Sequence, residues 1–207
     1  MKTRKTIYHL IVDKSGSMSD CIESTINGFN EQVNKIKSSA LEFPEEEITM
    51  GLTLFNDYVD HHYFAANPST VHMLNNDTYR PNGSTALMDA VGETINAIQS
   101  QINESHIPAT VVVVILTDGY ENASKSYNLV KIRNMISMLE ETGKWTFSFV
   151  GATLDAVEVA QSMAIKRQNS FAFEKKNMKS AVWDKLGFSM NKYFYNKSEN
   201  KDIDNFF

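Results

Sequence analysis

The chain holds a single cysteine, Cys21, so it cannot close an internal disulfide, and nothing in it calls for an oxidising compartment. Cys21 reads as a small residue early in a helix rather than as a reactive thiol. Long apolar runs are also missing. The basic amino terminus (Lys2, Arg4, Lys5) leads into the short run Ile7-Tyr8-His9-Leu10-Ile11-Val12, which contains a histidine and ends on Asp13. That is too short for a secretion signal, and no stretch nears the ~20 apolar residues of a membrane span. The expectation is a cytoplasmic protein without membrane contact. No basic stripe stands out: 20 Lys and Arg against 25 Asp and Glu give a net charge of -5 and a pI near 5.5. A broad nucleic-acid surface is therefore disfavoured. Internal repeats, low-complexity linkers and a second domain are not evident either. The reading is one domain over residues 1–195 and a polar, frayed tail over 196–207, tipped by Phe206-Phe207. At 207 residues, with 42% hydrophobic and 22% charged content, such a domain can bury a substantial core unaided.

Several catalytic signatures are absent as well. There is no G-x-x-x-x-G-K-S/T phosphate loop, and no G-x-G-x-x-G follows the first strand. A magnesium-dependent phosphohydrolase needs an acid–base Asp two residues after its nucleophilic Asp, and Ser15 stands at that place after Asp13. Neither Ser15 nor Ser17 has a histidine close in sequence to activate it. Of the histidines His9, His61, His62, His72 and His106, only His61 and His62 are close together. Adjacent strand residues face opposite sides, so they make a poor chelate.

What is present is an alternation of strand and helix patterns, which implies a mostly parallel sheet covered on both faces. Strand patterns cover residues 6–12, 48–55, 58–64, 110–117, 145–150 and 170–173. Asn56-Asp57 reads as a tight hairpin turn, which makes the third strand an antiparallel edge. Helical stripes run through Ile22, Ile26, Phe29, Val33 and Ile36, and through Leu87, Val91, Ile95, Ile98 and Ile102. Further helices are expected at 127–142, 155–164 and 177–195. Residues 67–82 are the least regular stretch. The ten methionines and Phe171, Phe173, Phe188 and Phe194 read as core.

The first strand ends in Asp13-Lys14-Ser15-Gly16-Ser17, a D-x-S-x-S run that places one carboxylate and two alternating hydroxyls at a strand tip. Such hard oxygen donors suit Mg²⁺. Alone the motif is weak evidence. Gly83-Ser84-Thr85-Ala86-Leu87-Met88-Asp89-Ala90 opens an amphipathic helix, and the buried run Val111–Leu116 continues into Thr117-Asp118-Gly119. Together and in this order the three segments resemble the von Willebrand factor A (VWA) domain with its metal-ion-dependent adhesion site. The resemblance extends from about residue 6 to about residue 195.

It implies a Rossmann-like, doubly wound α/β three-layer sandwich whose six-stranded sheet is mostly parallel with one antiparallel edge strand. It also implies a metal site formed by Asp13, Ser15, Ser17, Thr85 and Asp118. The ion would be Mg²⁺, with Mn²⁺ as an alternative, and an Asp or Glu carboxylate from a partner protein would complete it. Ser15 and Ser17 would bind directly, and Thr85 and Asp118 would exchange between direct and water-mediated contact. Charge balance agrees: two carboxylates neutralise the ion, hydroxyls add no charge, and a neutral site still accepts an anionic oxygen.

Gly16 and Gly119 are expected to allow tight turns, and Gly83 to shape the loop presenting Thr85. Asp89 has two readings: acceptor for a metal-bound water or hydroxyl, or simple support for its helix amino end. The exposed crest open to a partner is expected to include Lys14, Asn56, Asp57, Asn82, Tyr120, Glu121, Asn122 and Thr153. The leading function is a non-enzymatic, Mg²⁺-dependent protein-interaction domain of the stand-alone, bacterial-type cytosolic kind. A phosphohydrolase is the alternative. An RNA-binding accessory role is disfavoured by acidity and by the lack of room for RNA-binding repeats.

Overall fold

A computed structural model describes residues 4–105, 108–199, 201, 203 and 205–207. Lys2 and His106 lie outside the described residues. Six strands form one sheet in the order β3-β2-β1-β4-β5-β6: β1 (Arg4–Asp13), β2 (Glu46–Phe55), β3 (Val59–Ala66), β4 (Thr110–Thr117), β5 (Trp145–Gly151) and β6 (Ser170–Ala172). Every neighbouring pair is parallel except β2 with β3, which joins the edge strand antiparallel. The helices are α1 (Ile22–Glu42), α2 (Leu87–Ser105), α3 (Leu129–Glu141), α4 (Ala156–Ser162) and α5 (Lys185–Ser198).

The two faces of the sheet explain why β1 and β4 read as unbroken apolar runs. Tyr8, Leu10, Val12, Val112, Val114 and Leu116 pack with α1 and α5. The alternate residues Ile7, Ile11, Val111, Val113 and Ile115 pack with α2, α3 and α4. Both faces are buried, so neither demands a polar residue. Chain order reverses between β1, whose crossover leads to β2, and β4. Loops at the carboxyl ends of these two strands diverge there, and a doubly wound sheet has its ligand crevice at that point.

Three expectations differ from the structure. The tail does not fray throughout. The last helix extends to Ser198, and Phe206 is buried against Tyr8 and Tyr193, with its N–H donating to Asn169 Oδ1 at 2.8 Å. Phe207 packs edge-on against Phe171 beneath the Lys185 ammonium. Two aromatic rings outweigh the polar residues before them. Conversely, Phe188 is exposed on the outer side of α5, and Met138 is exposed on α3. Finally, the helix expected at 177–195 begins with a π-helical segment, Lys179–Asp184. There Gln32 Nε2 donates to the Trp183 carbonyl at 2.7 Å, which helps satisfy the irregular turn.

Candidate functional site

The register of β1 and β4 sets Val12 beside Leu116, so Asp13 and Thr117 end their strands level with one another. Asp13 is fully buried. Its Oδ1 accepts from the Ser15 N–H at 2.6 Å and its Oδ2 from the Thr117 hydroxyl at 2.6 Å. The Tyr79 hydroxyl donates to the Asp13 carbonyl at 2.7 Å. Burial pushes the Asp13 carboxyl up to about 6, against those hydrogen bonds and with help from the Asp118 charge. A cation placed between the two carboxylates would reverse that push.

The Ser15 and Ser17 hydroxyls lie 3.1 Å apart, and Ser17 Oγ donates to Asp118 Oδ1 at 2.5 Å. Thr85 arrives from the loop before α2. Its N–H donates to Asn122 Oδ1 at 2.8 Å, and the Asn122 N–H donates back to the Thr85 carbonyl at 3.0 Å. This two-way clamp ties the Thr85 loop to the loop that follows Asp118. A Cβ at Gly119 would stand 3.0 Å from Thr85 Oγ1 and 3.5 Å from Ser17 Oγ, so a side chain there would crowd both hydroxyls. The structure therefore brings all five expected ligand residues to one crest.

Gly83 alone of Gly16, Gly83 and Gly119 has positive φ, at 72°, and a Cβ there would collide with Asp57 Oδ2. Asp57 Oδ2 accepts the Ser84 N–H at 2.9 Å. Gly16 donates its N–H to the Gly83 carbonyl at 3.0 Å, a close approach of two loops rather than a strained turn. Asp89 is bound to backbone: Oδ1 accepts from the N–H groups of Ser126 and Tyr127, and Oδ2 from that of Lys125. It pins the loop between β4 and α3, a role that neither expectation described.

Several residues expected to face a partner are held internally. Asn56 is buried, its amide donating to Asn82 and its Oδ1 accepting from the Tyr58 N–H. Glu121 receives the N–H groups of Met88, Ala123 and Ser124 together with the Ser124 hydroxyl. Lys14 pairs with Asp60 at 3.1 Å. Asn82 and Asn122 are exposed, Asp57 and Thr153 half-buried. Tyr120 is exposed and donates to Asp155 Oδ1 at 3.0 Å. Leu154 is fully exposed next to Thr153 and was not foreseen. A cleft of about 760 Å³ flanks the site, lined in part by Lys14, Asp57, Tyr58, Arg80 and Asn82.

Sequence reasoning also missed Lys175, on the short 3₁₀ turn Lys175–Asn177 after β6. Its Nζ lies 2.5 Å from Asp118 Oδ2 and donates to the Ser17 carbonyl at 2.7 Å. Asp118 Oδ2 is buried and has no other partner, so Lys175 is its counter-charge. Thr117, adjoining Asp118, could have been found by its place at the strand end. Lys175, inside a Lys-Lys pair far along the chain, offered no such signal.

The donor set fits a hard divalent cation. Asp118 Oδ2 is a buried oxygen with unused accepting capacity. The Ser15–Ser17 hydroxyl separation matches the ~3 Å edge of an octahedron with ~2.1 Å metal–oxygen distances. No three His, Cys, Asp or Glu residues gather as a metal cluster among the described residues, so a cation here would draw on hydroxyls and water beside the two carboxylates.

Comparison with known proteins agrees on the architecture. The family model of the von Willebrand factor type A domain matches residues 9–185. A von Willebrand factor type A structure from Catenulispora acidiphila aligns with TM-score 0.59 at 11% identity, covering 87% of this chain and 42% of that one. Proximal thread matrix protein 1 from the mussel byssus, with a zinc-occupied adhesion-site motif, aligns with TM-score 0.58 at 14% identity, covering 89% and 45%. This chain thus spans less than half the length of those two. The corresponding domain of the type V pilus tip protein Mfa5 from Porphyromonas gingivalis gives 0.61 at 10% identity, covering 93% and 96%. A search of curated proteins found no match. No helix of the described residues is long and apolar enough to cross a membrane.

Proposed function

We propose, for a chain that belongs to the von Willebrand factor type A domain family, a cation-dependent protein-interaction function centred on Asp13, Ser15, Ser17, Thr85 and Asp118. The observation that carries this reading is the buried, incompletely bonded Asp118 Oδ2 beside three converging hydroxyls. Mg²⁺ is the ion that best suits the donors, with Mn²⁺ close behind. The zinc-occupied motif of the mussel protein, a structure of similar fold, supports a divalent metal in this reading.

When bound, the ion supplies an open coordination position for one more anionic oxygen. The chain's own residues do the rest. Asp13, held by Thr117 and by the Ser15 N–H, contributes charge from below the crest. Ser15, Ser17 and Thr85 offer neutral oxygens, which leaves the site able to attract a carboxylate. An Asp or Glu side chain of a partner protein is the ligand we assign to it. Tyr120 and Leu154, exposed at the rim, and the cleft beside Lys14 give that partner further contacts.

A phosphohydrolase is not favoured. The second carboxylate that such chemistry needs is absent, and Ser15 stands in its place two residues after Asp13. We place the chain in the cytoplasm on its one cysteine, Cys21, which is buried and unpaired. We read it as in contact with neither membrane nor nucleic acid.

Thermal unfolding after EDTA treatment, with Mg²⁺ or Mn²⁺ then added back, tests the site. Wild type should gain about 2.7 kcal/mol at a hundredfold excess over the dissociation constant, and Ser15→Ala combined with Ser17→Ala should lose that gain. Equal curves with and without metal in wild type would remove the reading.

A further inference from the structure

We propose that Lys175 is a tethered competitor for the cation at Asp118, so that a divalent ion loads only as the ammonium lets go. This deepens the function proposed above and rests on its cation-binding reading. The turn bearing Lys175 follows β6 on the crest, and the side chain reaches across the loop after β1 to Asp118. Its Nζ lies 2.5 Å from Asp118 Oδ2 and donates to the Ser17 carbonyl at 2.7 Å, so it bridges two of the three segments that form the site.

Two features make this a competition rather than a fixed structural pair. Asp118 has no side-chain exposure, whereas Lys175 retains 33%, so the lysine has a path out to solvent and the carboxylate does not. The ammonium also occupies an oxygen with no other hydrogen-bond partner, so ion and ammonium seek the same acceptor. A divalent ion on Asp118 would place a second positive charge within a few ångströms of the ammonium, where like charges repel strongly at low effective dielectric. Charge counting leads to the same result. Asp13 and Asp118 carry two negative charges when ionised. Lys175 offsets one of them, whereas a divalent ion offsets both and leaves the ammonium in excess.

Calorimetric titration of MgCl₂ and MnCl₂ into EDTA-stripped, dialysed wild type, Lys175→Met and Lys175→Arg tests this. Lys175→Met should bind Mg²⁺ about tenfold tighter, the scale expected when a part-exposed ion pair no longer has to be broken. Lys175→Arg keeps a cation at Asp118 and should not bind more tightly than wild type. Metal-free Lys175→Met should melt below wild type, because Asp118 has lost its counter-charge, and added Mg²⁺ should restore it. If Lys175→Met does not fold, Lys175→Gln carries the same comparison. Wild-type binding with equal or weaker affinity in Lys175→Met overturns the competition alone. Failure of every variant and of wild type to bind either metal overturns the cation reading beneath it.

Discussion

The two ends of the central strands carry polar clusters built from similar parts, yet only one of them is closed. At the amino end, Lys197 pairs with Glu46 and donates to Thr6 Oγ1 and Thr110 Oγ1, and Thr6 donates to Glu46 at 2.6 Å. One ammonium meets one carboxylate, and the hydroxyls fill the gaps. At the carboxyl end there are two carboxylates, Asp13 and Asp118, and one ammonium, which contacts Asp118 alone. Asp118 Oδ2 has no partner besides that ammonium, and three hydroxyls converge with spare acceptor capacity. A satisfied network of buried charge stabilises a fold or specifies it. A network short of positive charge is ready to take a ligand. The difference in charge count, more than any difference in residue type, separates structure from site.

The comparison is broken most severely at the closed end. Lys197→Met leaves Glu46 buried without its counter-charge and should cost about 3 kcal/mol in urea unfolding, regardless of Mg²⁺. A loss that Mg²⁺ repaired would mean that the two ends do not differ as described. At the open end the expected effect is the gain of about 2.7 kcal/mol with Mg²⁺ in hundredfold excess, lost in Asp118→Asn. Somewhat smaller is Asp89→Ala, which strands three backbone N–H groups in the loop beside Asn122. It should cost about 2 kcal/mol and weaken metal binding through the Thr85 clamp. Unchanged metal affinity at reduced stability would confine Asp89 to the fold.

The most gradual effect, the smallest when read per pH unit, comes from between the two clusters. Burial lowers His9 from 6.5 to about 3, so it stays neutral in the folded protein while its unfolded counterpart takes up a proton. Its contribution to stability is complete above pH 6.5 and declines as pH falls towards 3, by at most about 1.4 kcal/mol per pH unit. Asp13, pushed up to about 6, opposes that slope between about pH 4 and 6 in metal-free protein. The difference between wild type and His9→Asn isolates the histidine. The variant should show less acid destabilisation, and parallel curves would assign the acid slope elsewhere.

The sheet was legible because its signals are local. Apolar runs long enough to need cover on both faces, stripes at helical spacing and one hairpin turn were each readable within a dozen residues. The five candidate positions were legible as a group for the same reason, since each sits in a short motif at a strand or helix end. Lys175 was not, because a lysine's partner is set by where its turn lands and no periodicity encodes that. Asn56 and Glu121 were assigned to a partner face, yet their side chains hold loops together, because polar loop residues carry no signal of direction. Phe188 and Phe206 show the same limit at the surface: hydrophobicity alone sent the first inward and a polar neighbourhood sent the second outward, and both are reversed.

The most direct test of the open site is paramagnetic broadening of backbone amide signals as Mn²⁺ is titrated into metal-free protein. Selective loss is expected at Ser15, Ser17, Thr85, Gly119 and Lys175, with Thr6, Glu46 and Thr110 at the closed end unaffected and the broadening reversed by excess Mg²⁺. Broadening centred on His61 and His62, or spread evenly over the acidic surface, would contradict it.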